Sequence, residues 1–527
     1  MLESGDFIEP RFQDGPRWQK PIGIYWLQTA SVRLLGGEEA DIWVYRLPSM
    51  LAAIAAVLLT AWAFRPLIGA RAAFLAAAMI AGVVVLSFEA RTAKTDAALL
   101  AAVVAAQGAL ARLWFGVRAS KAERVRNQFY FWTALGVGVL IKGPLIFLPV
   151  GGTIAWLFVR ERRFSGLKRL GLGWGLVWAS LIAAPWFIAI GIKTDGAFFS
   201  AALGDDLVGK LAQRREGVSL PPGFHTVVFW GTFWPFTPLA LLAVPYVWRW
   251  RRAPEMAFML GWVVPAWIVF ELVATKLLHY TLPLYPAIAA LAAAAALDGS
   301  AKAEGRLFWI AATLWALPAV TLPLMLGVIA PLYLENHVCA STLIGCAIAL
   351  GVLCIAWRWF KNGLWLAFIR SSLIGAGILY FTAYQFAFPS YAQLWVSKRM
   401  VERAAPFQAC LQDYGADPVF ASVRYHEPSL VFLSDANTQL RHAEAAADWL
   451  AREEGALVWV ARRKGDTRQR PDEIDRFEAR LRANGVEPQP LATTSGFQYN
   501  GGRRLVMTLY GRKSDTRLNN CVVAMPG

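Results

Sequence analysis

Twelve apolar runs set the terms for this chain: 47–64, 72–88, 97–115, 129–141, 144–159, 170–192, 225–248, 255–273, 281–297, 307–330, 338–356 and 364–387. About 20 apolar residues in a helix cross a hydrocarbon core about 30 Å thick. Inside lipid the backbone must satisfy its own polar groups, which a helix does. The expected fold is a polytopic α-helical membrane protein with about twelve transmembrane helices. Composition agrees, because 57% hydrophobic against 17% charged residues cannot clothe a soluble protein of 527 residues. The 24 tryptophans and 31 phenylalanines suit apolar spans and interfacial belts. The region 129–159 is long for one helix and short for two, and Gly143-Pro144 is its natural break.

A formal charge of +16 suggests nucleic-acid binding until the basic residues are placed. They fall after every second run: Arg65 and Arg71; Arg118, Lys121, Arg124 and Arg126; Arg160, Arg162, Arg163, Lys168 and Arg169; Arg249, Arg251 and Arg252; Lys302 and Arg306; Arg358 and Lys361. Alternate basic loops mark the cytoplasmic side of a membrane protein, so the charge calls for no nucleic acid. The alternation holds only if 129–159 crosses twice.

The remaining loops then lie outside, which gives three expected regions. Residues 1–46 form an outer juxtamembrane segment, with an amphipathic interfacial helix in "IGIYWLQTASVRLLG". Residues 47–387 form the membrane domain, and 388–527 a small extracytoplasmic α/β domain. In that domain β-rich runs at 418–423, 429–433, 456–461 and 505–510 alternate with helical patterns at 443–454 and 472–484. Cys410 and Cys521 lie there and are able to pair in an oxidising compartment, whereas Cys339, Cys346 and Cys354 read as small packing residues. An outer segment at 1–46 needs something to carry it across. The expectation is an upstream span missing from this sequence, with Met1 an internal methionine.

Charged residues gather on the outer side. Lys20-Pro21 precedes the interfacial helix, and Arg46-Leu47-Pro48 enters the first span. "FEARTAKTDAALL" brings Glu89, Arg91, Lys94 and Asp96 to the membrane edge, "IKGPL" puts Lys142 on a turn, and "ATKLLHYTLPLYP" sets Lys276, His279, Tyr280 and Tyr285 at a proline-broken helix start. Singly, each has an ordinary explanation: a snorkelling cation, an aromatic-belt tyrosine, or an N-cap in the case of Asp96. Jointly, cations from four loops on one face suit a lipid-anchored phosphate.

The stretches "MLESGDFIEPRF", "WQKPIGIYWLQ", "YRLPS", "RTAKTDAALL", "IKGPL" and "KLLHYTLPLYPAIA" resemble the successive motifs of the polyprenyl-phosphate-sugar glycosyltransferases. That family includes aminoarabinose lipid A transferases (ArnT-like), galacturonosyl transferases of lipopolysaccharide core and protein O-mannosyltransferases. The resemblance covers residues 1–300 well. Beyond them it rests on the span pattern and on tail segments such as "RYHEPSLVFL" and "GFQYNGGRRLVMTLYG".

The resemblance implies a GT-C fold in the bacterial inner membrane, with the active site and C-terminal domain facing the periplasm. It implies transfer of a sugar, with inversion, from undecaprenyl phosphate to a periplasmic acceptor such as lipid A or lipopolysaccharide core. By resemblance Lys20 holds the donor phosphate, and Arg46, Lys142 and Lys276 are supporting cations. Tyr280 is a hydrogen-bond donor, and Asp96 positions the acceptor or assists the base. Membrane lipids are the other expected partners.

Two departures follow from the same comparison. The family's first acidic pair has no counterpart here, which leaves activity of this chain open. Gln19 stands where relatives carry a glutamate that in some helps bind a divalent metal. An amide is a poor zinc ligand, so a divalent metal is the one cofactor to test, with Gln19 and His225 as weak ligand candidates. A non-catalytic relative and a lipid or sugar transporter are the alternatives. A transporter would carry charges near the mid-membrane, and the interiors of these runs hold almost none.

Overall fold

The computed structural model describes residues 1–524 apart from 14, 38–39, 117–118, 163–164, 203–219, 302, 464–471 and 499–501. It divides into two compact units: residues 1–323 with 345–380, and residues 324–344 with 381–527.

Among the described residues eight helices are long and apolar enough to span a membrane: Ile42–Gly82, Asp96–Phe115, Lys121–Glu161, Leu172–Lys193, Pro254–Leu272, Gly305–Tyr333, Ala340–Lys361 and Trp365–Ser390. The twelve expected runs all fall on helix, but not as twelve separate long helices. Two pairs of runs are joined end to end. Ile42–Gly82 holds the first pair and breaks at Gly69 (φ 78, ψ 166). Lys121–Glu161 holds 129–141 and 144–159, divided at Gly143. The 225–248 run splits into Phe224–Thr232, Thr237–Leu242 and Val244–Trp250, since the prolines in "WPFTP" cannot donate within a helix. The 281–297 run is the shorter apolar helix Leu282–Asp298. Many large apolar side chains on these helices, among them Leu181, Ile188, Ile192 and Leu317, are exposed as lipid-facing positions must be.

Helix Asp96–Phe115 is buried along nearly its whole length and carries Asp96 at its first position. Its buried Gln107 donates to Thr153 Oγ1 at 2.8 Å and to the Pro149 carbonyl at 3.1 Å, which ties it to the helix starting at Phe147. Helix Gly23–Leu35 packs against the end of Lys121–Lys142 at Gly23. A Cβ at Gly23 would come within 2.8 Å of the Leu140 carbonyl oxygen, so only glycine allows this approach. That contact delivers Lys20 and Pro21 to the helix end bearing Lys142. The segment before it is tied to helix Leu172–Lys193 by Trp186 Nε1 donating to the Ile8 carbonyl at 2.9 Å and by a Lys193–Asp6 ion pair.

Strands β1 (Arg11–Phe12) and β2 (Gly15–Pro16) form a small antiparallel hairpin. The second unit holds β3 (Phe420–Val423), β4 (Gln439–Arg441), β5 (Leu457–Arg463), β6 (Pro488–Gln498) and β7 (Arg503–Arg512) in the sheet order β4-β3-β5-β7-β6. β3 is parallel to β4 and β5, while β7 is antiparallel to β5 and β6. Alternation along β5 feeds two cores. Leu457, Trp459 and Ala461 face the cluster with Met400 and Leu411, and Val458 and Val460 face Ala446, Leu450 and Phe477.

The expected strand at 429–433 is helix Pro428–Leu433, because Pro428 at its first turn presets helical φ and lacks only a donor that would have no helical partner. β6 escaped the sequence reading, since two prolines and a polar run disguise an edge strand. Cys410, on helix Val396–Asp413, is disulfide-bonded to Cys521 on helix Thr516–Ala524.

Candidate active site

In the first unit a cavity of 510 Å³ is lined by Gln19, Lys20, Lys94, Asp96, Lys142, His279 and Tyr280 and by apolar residues such as Ile24, Leu145, Leu148, Phe270 and Leu277. The charged groups suit a charged head group and the apolar ones a hydrocarbon chain.

Asp96 is 7% exposed and Glu89 2%, so neither carboxylate is solvated. Asp96 is the first helical residue after Thr95, and its carboxylate makes an ion pair with Lys142 rather than serving as the N-cap. The pairing has a helical logic. Lys142 ends helix Lys121–Lys142 at the negative pole of its dipole, where Gly143 (φ 65) turns the chain away, and Asp96 sits at the positive pole of its own helix.

His279 bridges the two acids: Nε2 lies 3.5 Å from Asp96 Oδ1 and Nδ1 lies 3.5 Å from Glu89 Oε1. Lys94 Nζ is 3.6 Å from the same Glu89 oxygen. Burial pushes the His279 pKa down to about 4, with Lys142, Lys94 and Lys20 adding to the fall against the pull of Asp96. Its imidazole is therefore neutral at pH 7. Burial and the neighbouring Asp96 push the Glu89 carboxyl upward.

The structure gathers Lys20, Asp96, Lys142 and Tyr280 around one cavity, with the Lys142 ammonium 5.9 Å from the Tyr280 ring centroid. It gives Lys276 a different task. Lys276 is buried, is not among the cavity-lining residues, and donates from Nζ to the carbonyls of Glu271 (2.6 Å) and Val273 (2.7 Å), closing the end of helix Pro254–Leu272. The Glu271 carboxylate in turn accepts from Gly223 N (2.9 Å), Thr226 N (2.8 Å) and Thr226 Oγ1 (2.8 Å). Together they anchor the loop that carries His279 and Tyr280. Arg46 is half-buried in the first turns of helix Ile42–Gly82 and is not among the lining residues. Asp205, Asp206, Arg214 and Arg215, the charged residues of the 193–224 loop that could touch substrate or face solvent, lie outside the described residues.

The metal candidates do not converge. Gln19 is exposed at the cavity, while His225 is fully buried and neither of its ring nitrogens has a hydrogen-bond partner among the described residues. Among those residues the group able to offer ligand atoms within 4.8 Å of one another is Glu89, Asp96 and His279. Two ammonium groups, Lys94 and Lys142, already neutralise its carboxylates, which makes it a poor cation site.

Glu89, Lys94 and His279 were visible in sequence as loop charges but not as site residues. Their signal was the density of charge in "FEARTAKTD" and the histidine beside Tyr280.

The sequence profile of the dolichyl-phosphate-mannose-protein mannosyltransferase family matches residues 19–188, a stretch that includes Lys20, Glu89, Lys94, Asp96 and Lys142. The undecaprenyl phosphate-alpha-4-amino-4-deoxy-L-arabinose arabinosyl transferase of Aeromonas salmonicida is 27% identical over 330 residues, 60% of this chain and 56% of that protein. Its Enterobacter counterpart is 25% identical over 297 residues, 56% and 52% of the respective chains. Over these stretches the chain is similar to the ArnT-like and protein-mannosyltransferase group of polyprenyl-phosphate sugar transferases. It spans about half the length of these curated relatives in the matched region.

The fold is shared more widely. The crystal structure of ArnT from Cupriavidus metallidurans bound to undecaprenyl phosphate superposes with a TM-score of 0.69 at 16% identity, covering 96% of this chain and 91% of that one. The apo form gives 0.67 over the same coverage. The shared GT-C-like fold is that of a polytopic membrane protein with a small α/β domain at its C-terminal end.

Proposed function

We propose that this chain is an integral-membrane glycosyltransferase of the bacterial inner membrane. It moves a sugar from undecaprenyl phosphate, or a similar polyprenyl phosphate, to an envelope acceptor such as lipid A or lipopolysaccharide core. The observation that carries this reading is the cavity lined by lysines with a buried carboxylate and a set of apolar side chains. In the proposed reaction Lys20 and Lys142 hold the donor phosphate. The acceptor oxygen attacks the anomeric carbon from the far side, the bond from that carbon to the phosphate oxygen breaks with inversion, and the polyprenyl phosphate leaves with its charge matched by the ammonium groups. The Asp96 carboxylate takes the acceptor proton or orients the acceptor, and neutral His279 holds Asp96 against Glu89. The alternating basic loops support an active site, an N-terminal segment (1–46) and a C-terminal domain (388–527) that all face the periplasm. The Cys410–Cys521 bond supports the same side for the domain.

The test is sugar transfer from a purified polyprenyl-phosphate sugar to lipid A in proteoliposomes. Lys20→Ala and Asp96→Asn should each abolish transfer while membrane insertion is kept. Full turnover by both would remove the cavity from the reaction.

A further inference from the structure

In the C-terminal unit three parallel strands end on one sheet edge, and cationic side chains collect there. From β3 the chain runs to β4 on one side and then to β5 on the other. In open α/β sheets such a reversal leaves a crevice outside the carboxyl ends of the strands where ligands bind. The registers fix what stands at this one. Val423, the last residue of β3, pairs with Arg441 and with Val460. Arg424 therefore follows level with His442 on one neighbour and with Ala461, next to Arg462, on the other.

The turn that carries Arg424 is held in place. Its φ of 67 lies in the left-handed region that residues with a side chain rarely adopt, and strained backbone of this kind concentrates at functional sites. Ser422 Oγ donates to the Tyr425 carbonyl at 2.8 Å, and Tyr425 Oη shares a 3.0 Å hydrogen bond with Ser397 Oγ. The His426 and His442 rings lie 6.5 Å apart, and His426 Nε2 is 3.3 Å from the Arg441 carbonyl oxygen. His426, His442 and Arg462 are exposed and Arg424 is half-buried. Neither Arg424 nor Arg462 has an ion-pair partner among the described residues, whereas the adjacent Glu427 accepts from Gln498 at 2.9 Å. Arg441 is occupied, bonded to Gln439 and stacked on Trp449.

We infer that this β3–β5 edge is a binding site for a phosphomonoester anion, gripped by the guanidinium groups of Arg424 and Arg462 with the imidazoles of His426 and His442 as flanking donors. Arginine forks match phosphate oxygens in pairs, and a phosphate offers enough acceptors for all four side chains. The motif "RYHEPSLVFL", to which the cavity gives no role, supplies the centre of the site. The inference does not depend on what the cavity binds.

The full-length chain carrying Lys20→Ala, which removes a cavity cation, is titrated calorimetrically with glucosamine 1-phosphate and separately with inorganic phosphate. Saturable binding is expected, weakened at least about tenfold by Arg424→Asn with Arg462→Gln. Asparagine tolerates the left-handed backbone, and Arg462→Gln alone, at an exposed position, should weaken binding without touching the turn. Tighter binding of the sugar phosphate would assign a glycosyl-phosphate head group, and equal affinities would assign free phosphate. No saturable binding, or equal affinity in the double variant, overturns the site.

Discussion

Lys142 and Asp96 form an ion pair whose side chains are only 10% and 8% exposed. Removing one partner of such a pair strands the other as a buried charge, at a cost of about 3–5 kcal/mol. Lys142→Met should therefore destabilise the protein by about that amount, with His279 at 3.5 Å from Asp96 too poorly charged at pH 7 to compensate. Asp96→Asn should cost a similar amount by stranding the ammonium. The double variant leaves no charge behind and should cost little more than either single change, giving a coupling energy of about 3 kcal/mol. The assay is thermal or urea unfolding of the four purified full-length proteins at pH 7. Additive losses would refute the pairing. Sugar transfer should be lost in all three variants, which separates the fold's need for the pair from the reaction's need for each group.

Opening Cys410–Cys521 by a Cys410→Ala/Cys521→Ala change frees a loop of 111 residues, and chain entropy puts the cost at about 4.8 kcal/mol. Thermal unfolding of the oxidised wild type against that variant should show a clear drop in the C-terminal unit's midpoint, and coincident curves would refute it. For His279 the folded pKa of about 4 lies below the ordinary histidine value of 6.5, so the unfolded chain binds the proton first. Stability should fall as pH drops from 6.5 towards 4, by about 3 kcal/mol, and His279→Gln should flatten that stretch of the unfolding profile. Lys276→Met strands two carbonyls and should cost about 1–3 kcal/mol while lowering turnover, with Lys276→Arg restoring most of both. An unchanged kcat in Lys276→Met would mean that its loop needs no such anchor.

Local patterns carried much of this fold. Apolar runs of span length located the helices, because a helix in lipid is a one-dimensional property of its own segment. The break at Gly143-Pro144 was legible for the same reason, glycine and proline acting where they stand, and the connection at 274–280 was legible as the gap between two apolar runs. Where segments depend on neighbours, the reading slipped. Pro428–Leu433 has strand-forming residues but turns helical behind its proline, and β6 exists as a strand because β7 pairs with it.

The candidate site divides along the same line. The sequence by itself determined a polytopic membrane chain, the segments bearing Lys20, Asp96, Lys142 and Tyr280, and a C-terminal unit with two cysteines able to pair. Only the tertiary structure decided which charges meet. It set Lys142 on Asp96, slipped neutral His279 between Asp96 and Glu89, and turned Lys276 away to cap a helix. The physical reason is that a charge's partner depends on distances of a few ångströms across separate helices. Those distances follow from packing details such as the bare Cα of Gly23 against Leu140, and hydropathy and motif spacing do not encode them.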